Sequence, residues 1–333
     1  MSDYRWTRCA LCNEEKGKTL ISTNDPYLDR KDLFEVIECR GCGLVRTRNL
    51  PLPEDLSTWY DQHYGRVHEE SADKECTQEE PVPSEPATSS LQPEPSFLKK
   101  RVLGPLKRIF RLDYAQFAVS RVAPRGRILE VGCGVGNILF ALKEQGADVE
   151  GIEPCSGLAE AARKRGLTVH DVHFEKWNAS SAPFDQILFS YTLEQIEDPV
   201  NALRLAKKYL APGGKIVILC PNLKTISRFL FRKNWFKWHL PYHKYFFTPR
   251  TMKKVLNEVG FKDIQMATDW RLDAEMESAR IFWNRFRGNS VIPFPEKYSK
   301  LVMMGMAMIL SPFKFLGLGN LLHVVARTDS ERP

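Results

Sequence analysis

Apolar and polar positions alternate in blocks along residues 128–220. Short apolar runs of strand length recur there, separated by segments with helical spacing. The first run, Ile128 to Val131, leads into a glycine-rich turn. The next segment, Asn137 to Gln145, has its apolar residues on one helical face. Repeats of strand, turn and helix predict an α/β fold.

Further apolar runs predict the remaining strands of this unit. They are Val149 to Glu153, Leu167 to Asp171, Phe184 to Ser190, Lys215 to Cys220, Phe261 to Thr268 and Leu321 to Arg327. Helical spacing covers Ser156 to Arg165 and Met252 to Val259, and Asp198-Pro199 predicts a helix that runs through Tyr209. Residues 211–214 (APGG) predict a turn.

The glycine turn differs from a dinucleotide-binding motif. Its spacing is G-x-G-x-G, and Asn137 occupies the place of the third glycine. Glu130, two residues before the first glycine, would repel a pyrophosphate but attract the ammonium of an amino acid. Glu153 ends the next strand, where a carboxylate can accept both hydroxyls of a ribose. An amino-acid end and a ribose end together indicate S-adenosylmethionine.

Candidate cofactor-binding residues lie at the carboxyl ends of the predicted strands, where α/β sheets bind ligands. They are Glu130, Gly132, Cys133, Gly134, Gly136, Asn137, Glu153, Pro154, Phe174, Ser190 and Tyr191. For Phe174 two interpretations are open: stacking on the adenine or packing in the core.

Two C-x2-C pairs near the start of the chain predict a metal site. Cys9 with Cys12, and Cys39 with Cys42, would present four thiolates to one structural Zn²⁺ ion in a small ribbon. Coincidental cysteines or a disulfide pair are the alternatives. Zinc ribbons also bind nucleic acid, but this one lacks a dense basic and aromatic face.

Charge is unevenly distributed along the 333 residues, whose net charge is +7. Residues 67–97 are rich in Glu, Pro and Ser, which predicts a disordered acidic linker. Residues 97–111 are basic and amphipathic, typical of a segment that meets a membrane surface or a polyanion, or of a solvated helix. No apolar run follows Met1 and the cysteines suit a reducing compartment, so we expect a cytoplasmic protein.

The motifs ILEVGCGVGN, GIEP, FDQILFSYTLEQIEDP and LAPGGKIVILCPN together resemble class I S-adenosylmethionine-dependent methyltransferases over roughly residues 112–270. The double C-x2-C and the segment HKYFFTP at 243–249 resemble bacterial methyltransferases that act on sugars and surface glycans. The resemblance implies a Rossmann-like sheet of seven strands, mostly parallel with the last antiparallel. One departure is Gln195, where the family often has histidine after Glu194.

Methyl transfer to an oxygen requires a group that removes a proton. His243 is the first candidate because an imidazole titrates near neutrality, although a structural histidine bonded to the backbone is an open alternative. Tyr191 and Glu194 are the other catalytic candidates, and His239 and Tyr242 are weaker ones. We do not expect metal-assisted transfer. The basic and aromatic block at 222–244 is expected to cover the substrate.

We therefore predict a zinc-ribbon-like module at 1–66, the linker at 67–97, and a methyltransferase domain at 98–330 with an apolar insertion at about 272–318. The apolar run within this insertion is too short to span a bilayer. We therefore expect the insertion to contact the membrane surface, the core of its own domain or a partner protein. The preferred acceptor is a sugar, a nucleotide-sugar or a lipid-linked glycan, at or near the inner membrane face. RNA methylation and a non-catalytic scaffold that binds S-adenosylmethionine are the alternatives.

Overall fold

The computed structural model describes residues 4–24, 32–52, 56, 114–178, 183–286, 305 and 309–329. The predicted linker at 67–97, the basic segment at 97–111 and most of the apolar run at 301–310 lie outside these residues. The proposed domain boundaries therefore stay predictions.

The strands of the described part are β1 (Tyr4–Trp6), β2 (Gly17–Thr23), β3 (Phe34–Cys39), β4 (Val45–Thr47), β5 (Asn49–Pro51), β6 (Arg127–Val131), β7 (Asp148–Ile152), β8 (Thr168–His170), β9 (Phe184–Ser190), β10 (Leu210–Pro221), β11 (Tyr245–Phe246), β12 (Lys262–Asp269) and β13 (Leu321–Arg327). The helices are α1 (Tyr114–Val119), α2 (Asn137–Glu144), α3 (Ser156–Lys164), α4 (Pro199–Tyr209), α5 (Ile226–Phe231), α6 (Pro249–Val259) and α7 (Leu272–Phe286). Short 3₁₀ turns lie at Phe174–Lys176, Arg232–Asn234, Phe236–Trp238 and Ser311–Leu316.

Seven strands form the central sheet, in the order β12-β13-β10-β9-β6-β7-β8. The pairs from β10 to β8 are parallel, whereas β13 runs antiparallel to both β10 and β12. This arrangement confirms the predicted Rossmann-like methyltransferase sheet and its antiparallel last strand. The strands at its centre are buried because helices cover both faces, which explains their continuous apolar runs.

Local sequence signals set the ends of the crossover helices. The side chain of Asp198 accepts hydrogen bonds from the N–H groups of Val200 and Asn201 at the start of α4. Thr248 and Thr251 form a reciprocal capping box at the start of α6. The first cap agrees with the helix start predicted at Asp198-Pro199, whereas α6 begins at Pro249, three residues before the predicted Met252.

The structure corrects the predicted turn at 211–214. These residues lie inside β10, which begins at Leu210 instead of Lys215 and contains a register shift between them. The strand continues because Gly213 and Gly214 bond to the backbone of residues 328–329 beyond β13. Gly213 has a φ of +70°, so the glycine accommodates the irregularity without ending the pairing.

The N-terminal ribbon (residues 4–52) is joined to the methyltransferase part by a shared sheet. Its strands β2, β3 and β4 extend to β11, in the order β11-β4-β3-β2. Tyr245 pairs with Arg46 and Phe246 with Val45, antiparallel. Cys9, Cys39 and Leu44 belong to the same buried cluster as the residues under the central sheet.

Candidate active site

The loops after β6 and β9 meet at the carboxyl edge of the central sheet. These strands are parallel neighbours, so both loops open to the same side. A Cβ placed on Gly132 would lie 2.5 Å from Oγ1 of Thr192. Gly132 also has a φ of +73°, so glycine is required there by both conformation and contact. The two loops are therefore in close contact at this edge of the sheet, where an α/β fold forms its ligand crevice.

The glycine loop borders open space at Gly134. A Cβ on this residue would meet no atom within 4 Å, in contrast to Gly132. Its N–H donates to Oε2 of Glu153 at 2.9 Å, and the Cys155 N–H donates to Oε1 of the same carboxylate at 2.9 Å. Glu153 is thus held by backbone groups directly beside open space at the crevice.

Glu130 lies buried beneath the same loop. Burial raises its pKa well above the ordinary value of 4.5, and the nearby charge of Glu153 raises it further, while a hydrogen bond from the Leu139 N–H acts in the opposite direction. Oε2 of Glu130 has no hydrogen-bond partner among the described residues. A buried carboxylate oxygen of this kind is an acceptor for a cationic group. The loop therefore fits S-adenosylmethionine, whose ammonium and ribose need such acceptors.

The other predicted cofactor residues are placed around this loop with different exposure. Cys133 is buried, Ser190 and Gly136 lie at the carboxyl edge, and Pro154 is exposed directly after Glu153. Asn137 is exposed at the start of α2, and its Oδ1 accepts from Nη1 of Arg165 at 2.6 Å. Their roles in binding stay predictions.

The structure places Phe174 in the core. It is 3% exposed and meets Phe189 and Tyr209 edge-on, with ring centroids 5.7 and 6.2 Å away. Trp177 packs beside it. The Phe174 ring is thus surrounded by other aromatic side chains, which supports the interpretation that it packs in the core. Nothing in these surroundings supports stacking on the adenine.

Glu194 lies in the loop after β9, four residues past the end of that strand. We expect the methyl acceptor to bind at this end of the crevice, which we call the acceptor end. Glu194 is 1% exposed, and burial raises its pKa to about 8, although the charge of Lys237 acts in the opposite direction. Neither carboxyl oxygen has a hydrogen-bond partner among the described residues. The carboxyl group is therefore largely protonated at neutral pH and ionises just above it.

His243 lies next to this carboxyl group, with Nε2 3.9 Å from Oε1 of Glu194. Nδ1 lies 3.0 Å from the carbonyl oxygen of Lys237. A carbonyl can only accept, so Nδ1 carries the proton and Nε2 of the neutral ring is an acceptor directed to the Glu194 side. Burial lowers the His243 pKa well below 6.5, and His239 and Lys237 lower it further.

The backbone bond of His243 is the feature expected of a structural histidine. Its catalytic role is accordingly still a prediction, and the observed juxtaposition with Glu194 is what supports it.

Tyr191, Lys237 and His239 are half-buried side chains around this pair. The Lys237 ammonium stands 4.3 Å from the centre of the Tyr191 ring. The His239 ring lies 5.0 Å from that of His243 and 5.1 Å from that of the buried Tyr242. The structure thus brings all the catalytic candidates to one end of the crevice.

The four ribbon cysteines form a second cluster. Their Sγ atoms all lie within 4.8 Å of one another, with Cys9 3.4 Å from Cys42 and Cys12 3.5 Å from Cys39. Four sulfurs around a tetrahedral ion with bonds of about 2.3 Å stand about 3.8 Å apart, so the set fits a Zn²⁺ ion. A disulfide-bonded pair is not what the structure shows, since all four are free thiols.

Comparison with known proteins identifies the kind of domain to which these residues belong. Residues 107–266 match the model of a family described as a methyltransferase domain. This match assigns residues 107–266 to a methyltransferase domain. The matched residues include Glu130, Gly134, Glu153, Glu194 and His243, so both ends of the crevice lie within the methyltransferase domain.

Relatives of the methyltransferase domain include enzymes of ubiquinone biosynthesis. The ubiquinone biosynthesis O-methyltransferase of Xylella fastidiosa strain M23 is 33% identical over 131 residues, 36% of this chain and 50% of the relative. That of Haemophilus ducreyi is 30% identical over 155 residues, 43% of this chain and 61% of the relative. The chain thus spans about half to three fifths of the length of these relatives.

Solved structures of methyltransferases are also similar to this chain, at low identity. An S-adenosylmethionine-dependent methyltransferase of Thermotoga maritima is 21% identical, covering 69% of this chain and 98% of its own, with a TM-score of 0.45. Another from Archaeoglobus fulgidus is 17% identical, covering 68% and 100%, with a TM-score of 0.45.

Thr192 and Thr47 are site residues that the sequence interpretation missed. Thr192 meets Gly132, and Thr47 of the ribbon donates its hydroxyl to the carbonyl of His243 at 2.8 Å. Thr192 could have been found from its place just after Tyr191. Thr47 is 196 positions from His243, and no local pattern signals such a contact.

Proposed function

We propose that this protein transfers a methyl group from S-adenosylmethionine to a hydroxyl oxygen of a small-molecule acceptor. The buried Glu194–His243 pair at the crevice carries the proposal, because a proton acceptor tuned to near-neutral pH suits a hydroxyl nucleophile. The O-methyltransferase names of the relatives support oxygen as the methylated atom.

Each group of crevice residues has a separate task. Bound S-adenosylmethionine supplies an electrophilic methyl group on its sulfonium. Glu130 and Glu153 hold the charged and hydroxyl groups of the cofactor beside Gly134. The proton of the acceptor hydroxyl would pass to the Glu194–His243 pair, and the Lys237 ammonium would stabilise the negative charge that this leaves on the oxygen. The oxygen would then take the methyl group, with S-adenosylhomocysteine as the leaving group.

The first test is calorimetric titration with S-adenosylmethionine. We expect Glu153→Ala to weaken binding at least tenfold, about 1.4 kcal/mol, because the carboxylate both orders the glycine loop and accepts from the cofactor. Glu160→Ala is the matched control, since Glu160 is an exposed glutamate on α3 paired with Lys164. Equal affinity in both variants would contradict this assignment.

The acceptor is tested with two chemical classes of probe in the presence of the cofactor. A catechol represents a phenolic hydroxyl, and UDP-glucose represents the nucleotide-sugar class predicted from the sequence resemblance. Methyl transfer to the catechol but not to UDP-glucose would contradict a sugar as the acceptor. Binding of cofactor with no transfer to either probe or to RNA would favour the scaffold alternative.

We also propose that the ribbon cysteines hold one structural Zn²⁺ ion. The four sulfurs leave no open ligand position, so the metal would stabilise the ribbon and take no direct part in methyl transfer. The Leu44 N–H lies 3.5 Å from Sγ of Cys42, as expected of a thiolate held in a knuckle.

A further inference from the structure

Residues 243–247 lie between the metal-binding ribbon and the acceptor end of the crevice. This short segment contains His243 and β11, and it is bonded on one side to β4 of the ribbon and on the other to Glu194. The position of this segment therefore depends on both β4 and Glu194.

The ribbon side of this contact is made by Thr47. Its Oγ1 donates to the carbonyl of His243 at 2.8 Å, and its N–H donates to the carbonyl of Lys244 at 2.9 Å. Thr47 is fully buried, so neither bond competes with water. The backbone that carries the His243 ring is thereby fixed to the ribbon.

The crevice side is made by the carbonyl of Glu194. It accepts from the N–H groups of Lys244 and Tyr245 at 2.8 and 3.0 Å. The same residue carries the carboxyl group that faces Nε2 of His243. A shift of the segment relative to Glu194 would therefore change the distance between the carboxyl oxygen and the imidazole nitrogen.

The ribbon end of this path begins at the second cysteine knuckle. Cys42 precedes β4 by three positions, and its carbonyl accepts from Nζ of Lys254 in α6 at 2.7 Å. Arg5 of β1 pairs with Glu197, which also lies 2.9 Å from Nζ of Lys244. The knuckle, β4 and the segment are thus a continuous bonded unit.

We infer that the ribbon positions His243 against Glu194, with Thr47 as the positioning residue and the metal in the four-cysteine site as the element that keeps β4 in place. Without a cation, nothing would hold the four sulfur atoms together at this short distance, and the knuckle that leads into β4 would open. The inference rests on the proposed function only for its catalytic consequence. Glu130 lies on β6, and Gly134 and Glu153 lie in the loops after β6 and β7, away from β4 and β11, so cofactor binding is expected to persist.

Nitrogen NMR of the histidine rings in the full chain tests this inference. The protein has seven histidines, and His243→Gln identifies the signals of His243. In the zinc-loaded protein we expect Thr47→Val to shift the His243 signals, and Thr47→Ser, which keeps the hydroxyl, to restore them. Thr23→Val is the matched control, because Thr23 is also buried in the ribbon but bonds to Asn24 next to it.

Metal removal is the second arm. We expect a chelator to change the His243 signals and added Zn²⁺ to restore them, while calorimetry shows S-adenosylmethionine affinity altered less than threefold. If the chelated protein unfolds as a whole, the Thr47 variants alone test whether the ribbon positions His243. His243 signals that are the same in Thr47→Val and Thr23→Val would overturn the inference. Loss of cofactor binding in the intact, zinc-loaded protein would contradict the proposed function instead.

Discussion

Glu194 and His243 are two buried titratable side chains whose pKa values are displaced in opposite directions. Burial raises the pKa of the Glu194 carboxyl to about 8 and lowers that of the His243 imidazole well below 6.5. Both shifts favour the neutral form, because taking a charge out of water is costly. At neutral pH the pair therefore consists of a carboxylic acid beside a neutral ring, and it can accept a proton once Glu194 ionises.

Substitution of Glu194 is expected to change how stability depends on pH. Between the ordinary value of 4.5 and about 8, the folded carboxyl keeps a proton that the unfolded chain releases, so stability falls as pH rises. The slope is at most about 1.4 kcal/mol per pH unit. His243 acts in the opposite sense only below pH 6.5, where the unfolded chain takes up the proton.

We therefore expect Glu194→Gln to flatten the decline of the free energy of unfolding between about pH 6.5 and 8, measured by urea titration. Glu160→Gln, on the exposed face of α3, is the control and should retain the wild-type slope. Parallel slopes in all three proteins would show that Glu194 ionises normally.

At the scale of elements, the loop after β9 is fixed between two well-defined ends. β9 is a central strand of the sheet, and α4 begins at Pro199 with Asp198 as its cap. Glu194 lies within this loop and bonds through its carbonyl to the segment before β11. The cap of α4 thus contributes to the position of this loop as well as to the helix.

Removal of that cap is expected to cost about 1 kcal/mol. Asp198→Ala leaves the N–H groups of Val200 and Asn201 without their side-chain acceptor, whereas Asp198→Asn retains an oxygen in the same place. Thermal unfolding should show a clear loss for the alanine variant and a much smaller one for asparagine. A loss of equal size in both would indicate that charge, not capping, stabilises this end.

At the scale of the whole molecule, the described surface has exposed apolar side chains beside basic ones. Phe315 and Leu316 are 83% and 66% exposed, and Lys314 lies 5.3 Å from the Phe315 ring. Phe229, on the adjoining α5, is exposed with Arg228 4.3 Å from its ring. Within the described residues, no helix has the length and apolar character to cross a membrane. We propose that this surface meets anionic lipid headgroups, because apolar insertion and positive charge are combined there.

Binding to vesicles tests that surface. We expect the protein to sediment with vesicles containing phosphatidylglycerol and much less with neutral phosphatidylcholine vesicles. The double substitution Phe315→Ser and Leu316→Ser should weaken the binding at least tenfold. Trp6→Ser is the control, since Trp6 is an exposed aromatic residue with Arg48 over its ring, in the ribbon. Equal binding of the two variants, or preference for RNA over vesicles, would contradict the proposal.

The sequence by itself determined most strands and helices of the central sheet unit, the glycine loop after β6 and the two cysteine pairs. Each of these depends on neighbours within a few residues: apolar periodicity, a cap at Asp198, glycines around Gly134, or two cysteines in one knuckle. The mostly parallel sheet with an antiparallel last strand was implied by the resemblance of these motifs to the methyltransferase family.

Only the tertiary structure decided which side chains meet across long separations. The burial of Phe174, the facing of Glu194 and His243, and the bond from Thr47 to the His243 carbonyl all depend on packing between distant segments. A pKa depends on the same packing, because desolvation is set by every element around the group. For this reason the sequence could name His243 and Glu194 as candidates, whereas the direction of their pKa shifts and their connection to the N-terminal ribbon came from the fold.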